Sequence, residues 1–123
     1  MDLVLPDFSF AFQPIINVEA GETESFEVLV RGANGEPAGQ IFQRVHEANK
    51  YYFDELLRTK AIPLAMQLGV TCHLNLNLLP RSIEVSKTAI SSTIEAAEKI
   101  GFPTEKLVLE VTCLLYTSDA ADD

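Results

Sequence analysis

Strand-like and helix-like segments alternate along residues 8–112, and this order constrains the fold more than any other feature of the chain. Residues 8–18 and 25–32 are rich in β-branched and aromatic side chains that alternate with period two. An Ala20–Gly21 turn lies between them. The pattern therefore predicts a β-hairpin near the start of the chain.

Two helices are predicted after the hairpin. Apolar residues fall at helical spacing in a short segment at residues 41–45, and they recur every three or four positions in a longer segment at residues 53–68. Gly69 stands where a helix C-terminal glycine belongs. Pro63 lies inside the longer pattern, and because an interior proline costs roughly 3 kcal/mol, it is expected to kink the helix or split it in two.

A strand, a helix and a further strand follow. Residues 70–79 alternate as a strand, residues 86–100 have a helical period that ends at Gly101 and Pro103, and residues 107–112 are strand-like. The inward face of this last helix is predicted to carry Ile90, Ile94 and Ala97.

The order of these elements is typical of the α/β class, in which helices cover nearly parallel strands. The first two strands are expected to be antiparallel because a tight turn joins them. A complete barrel of eight strand–helix units needs about 200 residues or more. Residues 1–112 therefore predict about half of a TIM-like (β/α) barrel.

Charge and composition argue against several classes of protein. The formal net charge is -9 and the sequence pI is near 4.6, which argues against binding of nucleic-acid polymers. The sequence has no apolar run near the roughly 20 residues of a membrane span and no signal-peptide pattern at its start, so we expect a cytoplasmic protein. The only cysteines are Cys72 and Cys113, and His46 and His73 are far apart, which does not predict a zinc site, so a metal would need oxygen ligands.

Three oxygen-bearing residues, Glu27, Asn77 and Glu110, interrupt otherwise apolar strands. Because side chains near the C-terminal ends of barrel strands converge on one mouth, these donors suit a Mg²⁺ or Mn²⁺ site. Arg31 follows on the same strand face as Glu27 and could hold an anionic substrate beside the metal. The pattern alone leaves an alternative open, because polar residues in strands often face solvent or lie at sheet edges.

Four motifs carry a resemblance to a known family. In chain order they are QPIINV, FEVLVRG, NLNLLPRS and LVLEVT. Together they resemble the successive motifs of the EAL domain family, the cyclic di-GMP phosphodiesterases of bacterial signalling. The resemblance runs from Phe10 to Thr112 and covers the first half of a family domain, which implies a partial barrel with an antiparallel first strand.

The resemblance implies hydrolysis of cyclic di-GMP to linear pGpG with Mg²⁺ or Mn²⁺ as cofactor. Glu27 matches the catalytic, metal-binding Glu that names the family, and Glu110 matches a second metal ligand. Asn77 matches the metal-binding Asn of the third motif, with Asn75 as the competing choice. The resemblance leaves open whether the full-length parent is a homodimer.

Contacts to substrate are implied in the same way. Arg31 matches the family's phosphate-contacting Arg, and Gln13 matches a Gln that lies near the guanine. Val28 stands where the family usually has Ala, a departure that is expected to add methyl groups near the site.

The C-terminal residues do not fit the pattern. Residues 113–123 read CLLYTSDAADD and resemble the translation of a transposase adapter used in sequencing-library preparation. We therefore expect residues 1–112 to be the N-terminal half of an EAL domain and residues 113–123 to be a non-native tail. The alternative is a genuine terminal strand at residues 114–117.

Two functions are compatible with this reading of the sequence. The first is a fragment of a cyclic di-GMP phosphodiesterase that is itself inactive, because the family's later metal ligands, including a paired Asp, have no match in the chain. The second is a non-catalytic cyclic di-GMP receptor or a protein-interaction module of the same fold. The presence of Glu27, Arg31, Asn77 and Glu110 favours the first.

Overall fold

The structure is a computed structural model, and it describes residues 4–111. This part of the chain begins with a β-hairpin. Strand β1 (Phe8–Asn17) pairs antiparallel with strand β2 (Glu22–Gly32). Gly21 occupies the turn with φ +66°, a left-handed conformation that costs glycine little. Its amide donates to the carbonyl of Asn17 at 2.8 Å. The predicted hairpin is confirmed.

Helices and two further strands follow the hairpin. The strands are β3 (His73–Leu78) and β4 (Leu107–Val111). The helices are α1 (Ala38–Gln43), α2 (Lys50–Gln67), α3 (Ser82–Val85) and α4 (Ser91–Ile100), with 3-10 turns at Glu47–Asn49 and Thr104–Lys106. Among residues 4–111, no helix has both the length and the apolar character that crossing a bilayer requires. The predicted boundary at residue 112 and the predicted tail lie outside the described residues.

The four strands form one sheet in the order β1-β2-β3-β4. β2 pairs with β3, and β3 with β4, in parallel. Parallel neighbours need a crossover connection, and helices supply it here: α1 and α2 precede β3, while α3 and α4 precede β4. This mixed α/β sheet confirms the predicted fold class, and its strand order is that of consecutive strands in a (β/α) barrel.

The helices pack on one face of the sheet. Val28, Leu74 and Leu76 lie on this face with at most 6% exposure, and they pack with Ala61 of α2 and Ala97 of α4. A second cluster contains Val30, Ala38, Ile41, Phe42, Val45, Phe53, Leu57 and Leu79. Because side chains alternate along a strand, the intervening residues point to the opposite face. We call the two faces the helix face and the inner face.

Pro63 does not split the second helix, which runs without interruption from Lys50 to Gln67. Pro63 is exposed, so water can satisfy the carbonyl group that lacks its amide donor. Ile62 and Ala65 beside it are 0% exposed and anchor this part of α2 to the sheet. The alternative of a split helix was wrong because the packing of the buried face outweighs one missing hydrogen bond, and the expected kink stays a prediction.

The last helix begins later than predicted, at Ser91, and it buries a different face. Ile90 and Ile94 are 38% and 39% exposed in the described part of the chain. Thr93 and Ala97, one turn apart, are each 0% exposed. The predicted inward positions of Ile90 and Ile94 are therefore wrong, and that of Ala97 is confirmed.

Candidate functional site

The polar residues singled out from the sequence lie on the inner face. Within the strand register, Gln13 pairs with Glu27 and Glu27 pairs with Asn75, so these three form one row across β1, β2 and β3. Asn77 pairs with Glu110 and forms a second row on β3 and β4. Residues paired in register point to the same face of a sheet, and Asn75 and Asn77 share a face by period two. The fold therefore brings all five residues to one surface.

Two side-chain amides occupy the centre of this surface. The Nδ2 atom of Asn75 donates to Oε2 of Glu110 at 3.4 Å, and Nδ2 of Asn77 donates to the carbonyl of Val28 at 3.2 Å. The Oδ1 atoms of Asn75 and Asn77 are both buried, and neither has a hydrogen-bond partner among the described residues. A buried polar atom without a partner costs about 1–3 kcal/mol. Two such oxygens on one face would therefore be stabilised by a hydrogen-bond donor or by a cation.

The neighbouring carboxylates add negative charge, which favours a cation over a neutral donor at this place. Glu27 and Glu110 are half-buried, and neither forms an ion pair with a Lys or Arg within residues 4–111. Carboxylate and amide oxygens are the ligands that Mg²⁺ and Mn²⁺ take in proteins. No group of three or more His, Cys, Asp or Glu side chains lies together in the described residues. A cation here would therefore combine carboxylate with amide oxygens, and the donors present fit a hard divalent ion.

Arg31 lies on the inner face, four residues along β2 from Glu27. At about 3.3 Å per residue, the two Cα atoms are roughly 13 Å apart along the strand, which leaves room between the two side chains for a ligand. Arg31 is half-buried, and its Nη1 donates to the carbonyl of Val30 at 3.0 Å. Gln13, on the edge strand, is exposed. Arg31 and Gln13 therefore share the inner face with Glu27 and Glu110.

The side chain of Val28 points away from the site. It is 6% exposed and belongs to the apolar cluster on the helix face, opposite Glu27. The expectation that its methyl groups crowd the site was wrong, because adjacent residues of a strand point to opposite faces. Only its carbonyl contacts the site, through Asn77.

The connection after β2 has its own fixed geometry. The carboxylate of Glu36 accepts from the amide of Asn34 at 2.8 Å and from Nη1 of Arg44 at 3.2 Å. A Cβ atom on Gly32 would clash with the carboxylate of Glu36 and with Cδ1 of Ile41, so a larger residue here would displace these side-chain ends. Hydrogen bonds from its own backbone amide and from that of Asn34 lower the pKa of Glu36. These contacts fix the connection that begins two residues after Arg31.

A buried ion pair behind β3 is the feature that the sequence reasoning missed. Asp54 and Arg58, one turn apart on α2, form a salt bridge with side chains 5% and 2% exposed. Both fall on the same buried stripe as Phe53, Leu57 and Ala61. A charged pair at i and i+4 inside an apolar stripe was the available signal, since such residues are almost never buried unless paired.

Comparison with known proteins identifies relatives of this arrangement. The EAL domain family model matches residues 2–122. That match extends over residues 113–122, which we predicted to be non-native, and the boundary at residue 112 stays a prediction. No curated protein matches this chain.

Solved structures share the fold. A standalone EAL protein from Vibrio cholerae O395 in a c-di-GMP-bound form is 44% identical, with a TM-score of 0.78 over 90% of this chain and 46% of that chain. Klebsiella pneumoniae BlrP1 in a manganese and cyclic di-GMP complex is 28% identical, with a TM-score of 0.79 over 89% of this chain and 28% of that chain. The FimX EAL domain of Xanthomonas citri in complex with c-diGMP, at 22% identity and a TM-score of 0.64 over 92% of this chain and 47% of that chain, shares the fold. The chain spans less than half the length of each of these relatives.

Proposed function

Because the chain belongs to the EAL domain family, we propose that it forms the metal-binding and substrate-binding part of a cyclic di-GMP phosphodiesterase. The observation that carries this proposal is the pair of buried, unpartnered Oδ1 atoms of Asn75 and Asn77 beside two carboxylates without ion pairs. The relative that is 44% identical binds c-di-GMP, which supports the same ligand here. A role in second-messenger signalling agrees with the predicted cytoplasmic location, and homodimerisation of the complete protein stays a prediction.

Glu27, Asn77 and Glu110 are the proposed ligands of a divalent cation. Relatives have been solved with manganese or calcium, which supports a divalent ion in general, and we propose Mg²⁺ or Mn²⁺ as the working cofactor. Asn75 stays a competing ligand, because it adjoins Glu27 in register and its Oδ1 is equally unpartnered in the described residues. A bound cation of this kind lowers the pKa of water and polarises a phosphoryl group.

The chain's own residues have the remaining roles. Arg31 is a half-buried cation on the inner face, so it can offset the charge of a phosphate that lies next to the acids. The exposed amide of Gln13 offers both a donor and an acceptor, which suits the polar edge of a guanine. Glu27 lies between Gln13 and Asn75 in the strand register, so it can serve both the metal and the substrate.

The 123-residue polypeptide by itself is proposed to bind the nucleotide without hydrolysing it. Two carboxylates and two amides suffice for one cation, whereas the mechanism implied by the family uses two cations that together stabilise the attacking and leaving oxygens. No third acid joins Glu27 and Glu110 in a cluster within residues 4–111. Purified chain with Mn²⁺ and cyclic di-GMP should therefore yield no linear pGpG, and turnover at the rate of a complete family domain would contradict this.

A chimera tests the phosphodiesterase proposal directly. Residues 1–112 would replace the matching part of the Vibrio cholerae standalone EAL protein, whose remaining length completes the domain. We expect the chimera to convert cyclic di-GMP to pGpG and the same chimera with Glu27→Gln to lose that activity. Binding by titration calorimetry without any hydrolysis in the chimera would favour the receptor function instead. A Val18→Ala chimera, altered at an 88% exposed position on the hairpin, is the control.

A further inference from the structure

The Asp54–Arg58 pair makes more contacts than a buried salt bridge needs. Besides the salt bridge, Arg58 donates through Nε to Oγ1 of Thr93 at 3.1 Å and through Nη2 to the carbonyl of Ala89 at 3.4 Å. Its Nη1 also donates to the backbone carbonyl of Asn77 at 3.2 Å. The guanidinium therefore connects α2 with the start of α4 and with the strand that carries a proposed metal ligand.

The aspartate contacts the same stretch of backbone two residues further along the chain, at Leu79. Oδ2 of Asp54 accepts from Oγ of Ser82 at 2.8 Å and from the backbone amide of Leu79 at 3.5 Å. The carbonyl of Asn77 and the amide of Leu79 flank a single residue. The ion pair thus holds both peptide groups on either side of Leu78, which is 2% exposed.

On the side of β2, this support lies where strand pairing has already ended, whereas pairing with β4 continues through Leu78. The pairing of β2 with β3 ends at Glu27 and Asn75, so Asn77 has no partner in the β2 ladder. On that side, Asn77 is held by its Nδ2 bond to the carbonyl of Val28 and by the contact of its own carbonyl with Arg58. Strand ends without ladder hydrogen bonds are free to move unless side chains hold them.

We propose that Asp54 and Arg58 are positioning residues, which fix the backbone at residues 77–79 from the helix face and so aim Oδ1 of Asn77 at the cation on the inner face. The inference rests on the proposed metal role of Asn77. Groups that hold a metal ligand in place commonly change metal affinity by about 10- to 100-fold when they are removed. A purely structural pair would alter stability and leave the affinity of the folded protein unchanged.

The test separates these two roles with a double variant, Asp54→Leu with Arg58→Met, in the full 123-residue chain. Apolar residues of similar volume often replace a buried ion pair at little cost in stability. Mn²⁺ affinity, measured from free Mn²⁺ by electron paramagnetic resonance, should fall by about 10- to 100-fold. Thermal unfolding followed by circular dichroism establishes that the variant is folded.

A thermodynamic cycle with Asn77→Ala distinguishes failure of this inference from failure of the proposed function. If the pair acts through Asn77, the triple variant binds Mn²⁺ no more weakly than Asn77→Ala alone. Parent-like affinity in a folded double variant, while Asn77→Ala weakens binding, overturns the positioning role only. Parent-like affinity in Asn77→Ala itself overturns the proposed metal role of this residue, and with it the inference.

Two further measurements cover a double variant that does not fold and a chain that binds Mn²⁺ too weakly to measure. Arg58→Lys keeps the charge beside Asp54 but loses the planar fork, so it should bind Mn²⁺ more weakly than the parent, and parent affinity would contradict the inference. In metal-free protein, the side-chain amide resonances of Asn77 should shift in this variant, and unchanged resonances would also contradict it. Glu84→Gln with Arg81→Met removes an ion pair of the same charges whose two side chains are each 70% exposed, and it serves as the matched control.

Discussion

The two faces of the sheet treat buried polar groups in opposite ways. On the helix face, Arg58 finds four acceptors and Asp54 three donors, so the buried charges are fully engaged. On the inner face, the Oδ1 atoms of Asn75 and Asn77 are buried without any partner among the described residues. The satisfied groups hold this structure in place. Oγ of Ser92 on α4 is buried without a partner in residues 4–111 as well, so the sign of a ligand site is two such oxygens together beside carboxylates, and not a single unsatisfied atom.

The largest expected effect comes from breaking the satisfied network. Asp54→Ala leaves Arg58 as a buried charge without its counter-ion and should lower the free energy of unfolding by about 3–5 kcal/mol. Urea denaturation followed by circular dichroism measures this. Glu84→Ala, which removes an ion pair whose two side chains are each 70% exposed, should change stability by about 1 kcal/mol or less. Equal effects of the two substitutions would show that the buried network is not special.

The next largest effect tests on which face of the sheet the side chain of Val28 packs. Val28→Ala removes buried methyl groups from the helix face and should lower the free energy of unfolding by about 2 kcal/mol, with Mn²⁺ affinity unchanged. Val18→Ala, at a position 88% exposed, should leave stability unchanged. Weaker Mn²⁺ binding with parent stability would instead place Val28 in the site.

A smaller effect of opposite sign is expected on the inner face. Asn75→Leu removes a buried, unpartnered oxygen, so the free energy of unfolding of the metal-free chain should rise by about 1 kcal/mol. The further increase in this free energy when Mn²⁺ is added should be smaller than in the parent chain. Urea titrations with and without Mn²⁺ measure both quantities. Asn34→Leu, on an exposed loop, is the control. Clear destabilisation of the metal-free Asn75→Leu chain would mean that its Oδ1 is already satisfied.

The smallest effect concerns the connection after β2. The pKa of Glu36 is lowered from 4.5, so its ionised form stabilises the folded state above that pH, and this contribution is lost as the pH falls through the lowered pKa. Glu36→Gln should therefore reduce the melting temperature slightly at pH 7 and not at all well below pH 4.5. Glu22→Gln, at an exposed position in the hairpin, should give no difference at either pH. A Glu36→Gln difference that grows on acidification would contradict this assignment.

Much of the fold could be predicted because hydrophobic periodicity is a local property of the sequence. Period two in FEVLVRG placed Glu27 and Arg31 on one face and Val28 on the other, although the consequence for Val28 was not drawn. The glycines after α2 and α4 marked helix ends, and both have positive φ values, 83° at Gly69 and 79° at Gly101. Pro63 does not split α2, since helix propensity counts the cost of one residue and omits the packing of its neighbours.

The rotation of α4 shows what periodicity could not provide. Ile90 and Ile94 looked like the buried stripe from hydropathy alone, yet Thr93 faces inward in the structure. Its hydroxyl accepts from Nε of Arg58, a partner 35 residues away. A polar residue that is buried to satisfy a distant charge leaves no hydropathy signal of its own.

The sequence by itself determined the order of strands and helices, the alternation that separates the two faces, and the family to which the chain belongs. These depend on neighbouring residues and on motif order. Only the tertiary structure decided that Asn75 and Asn77 keep buried oxygens without partners and that Asp54 and Arg58 hold the end of β3. The physical reason is that hydrogen-bond satisfaction depends on which distant groups the fold brings within about 3 Å, and local sequence does not encode that distance.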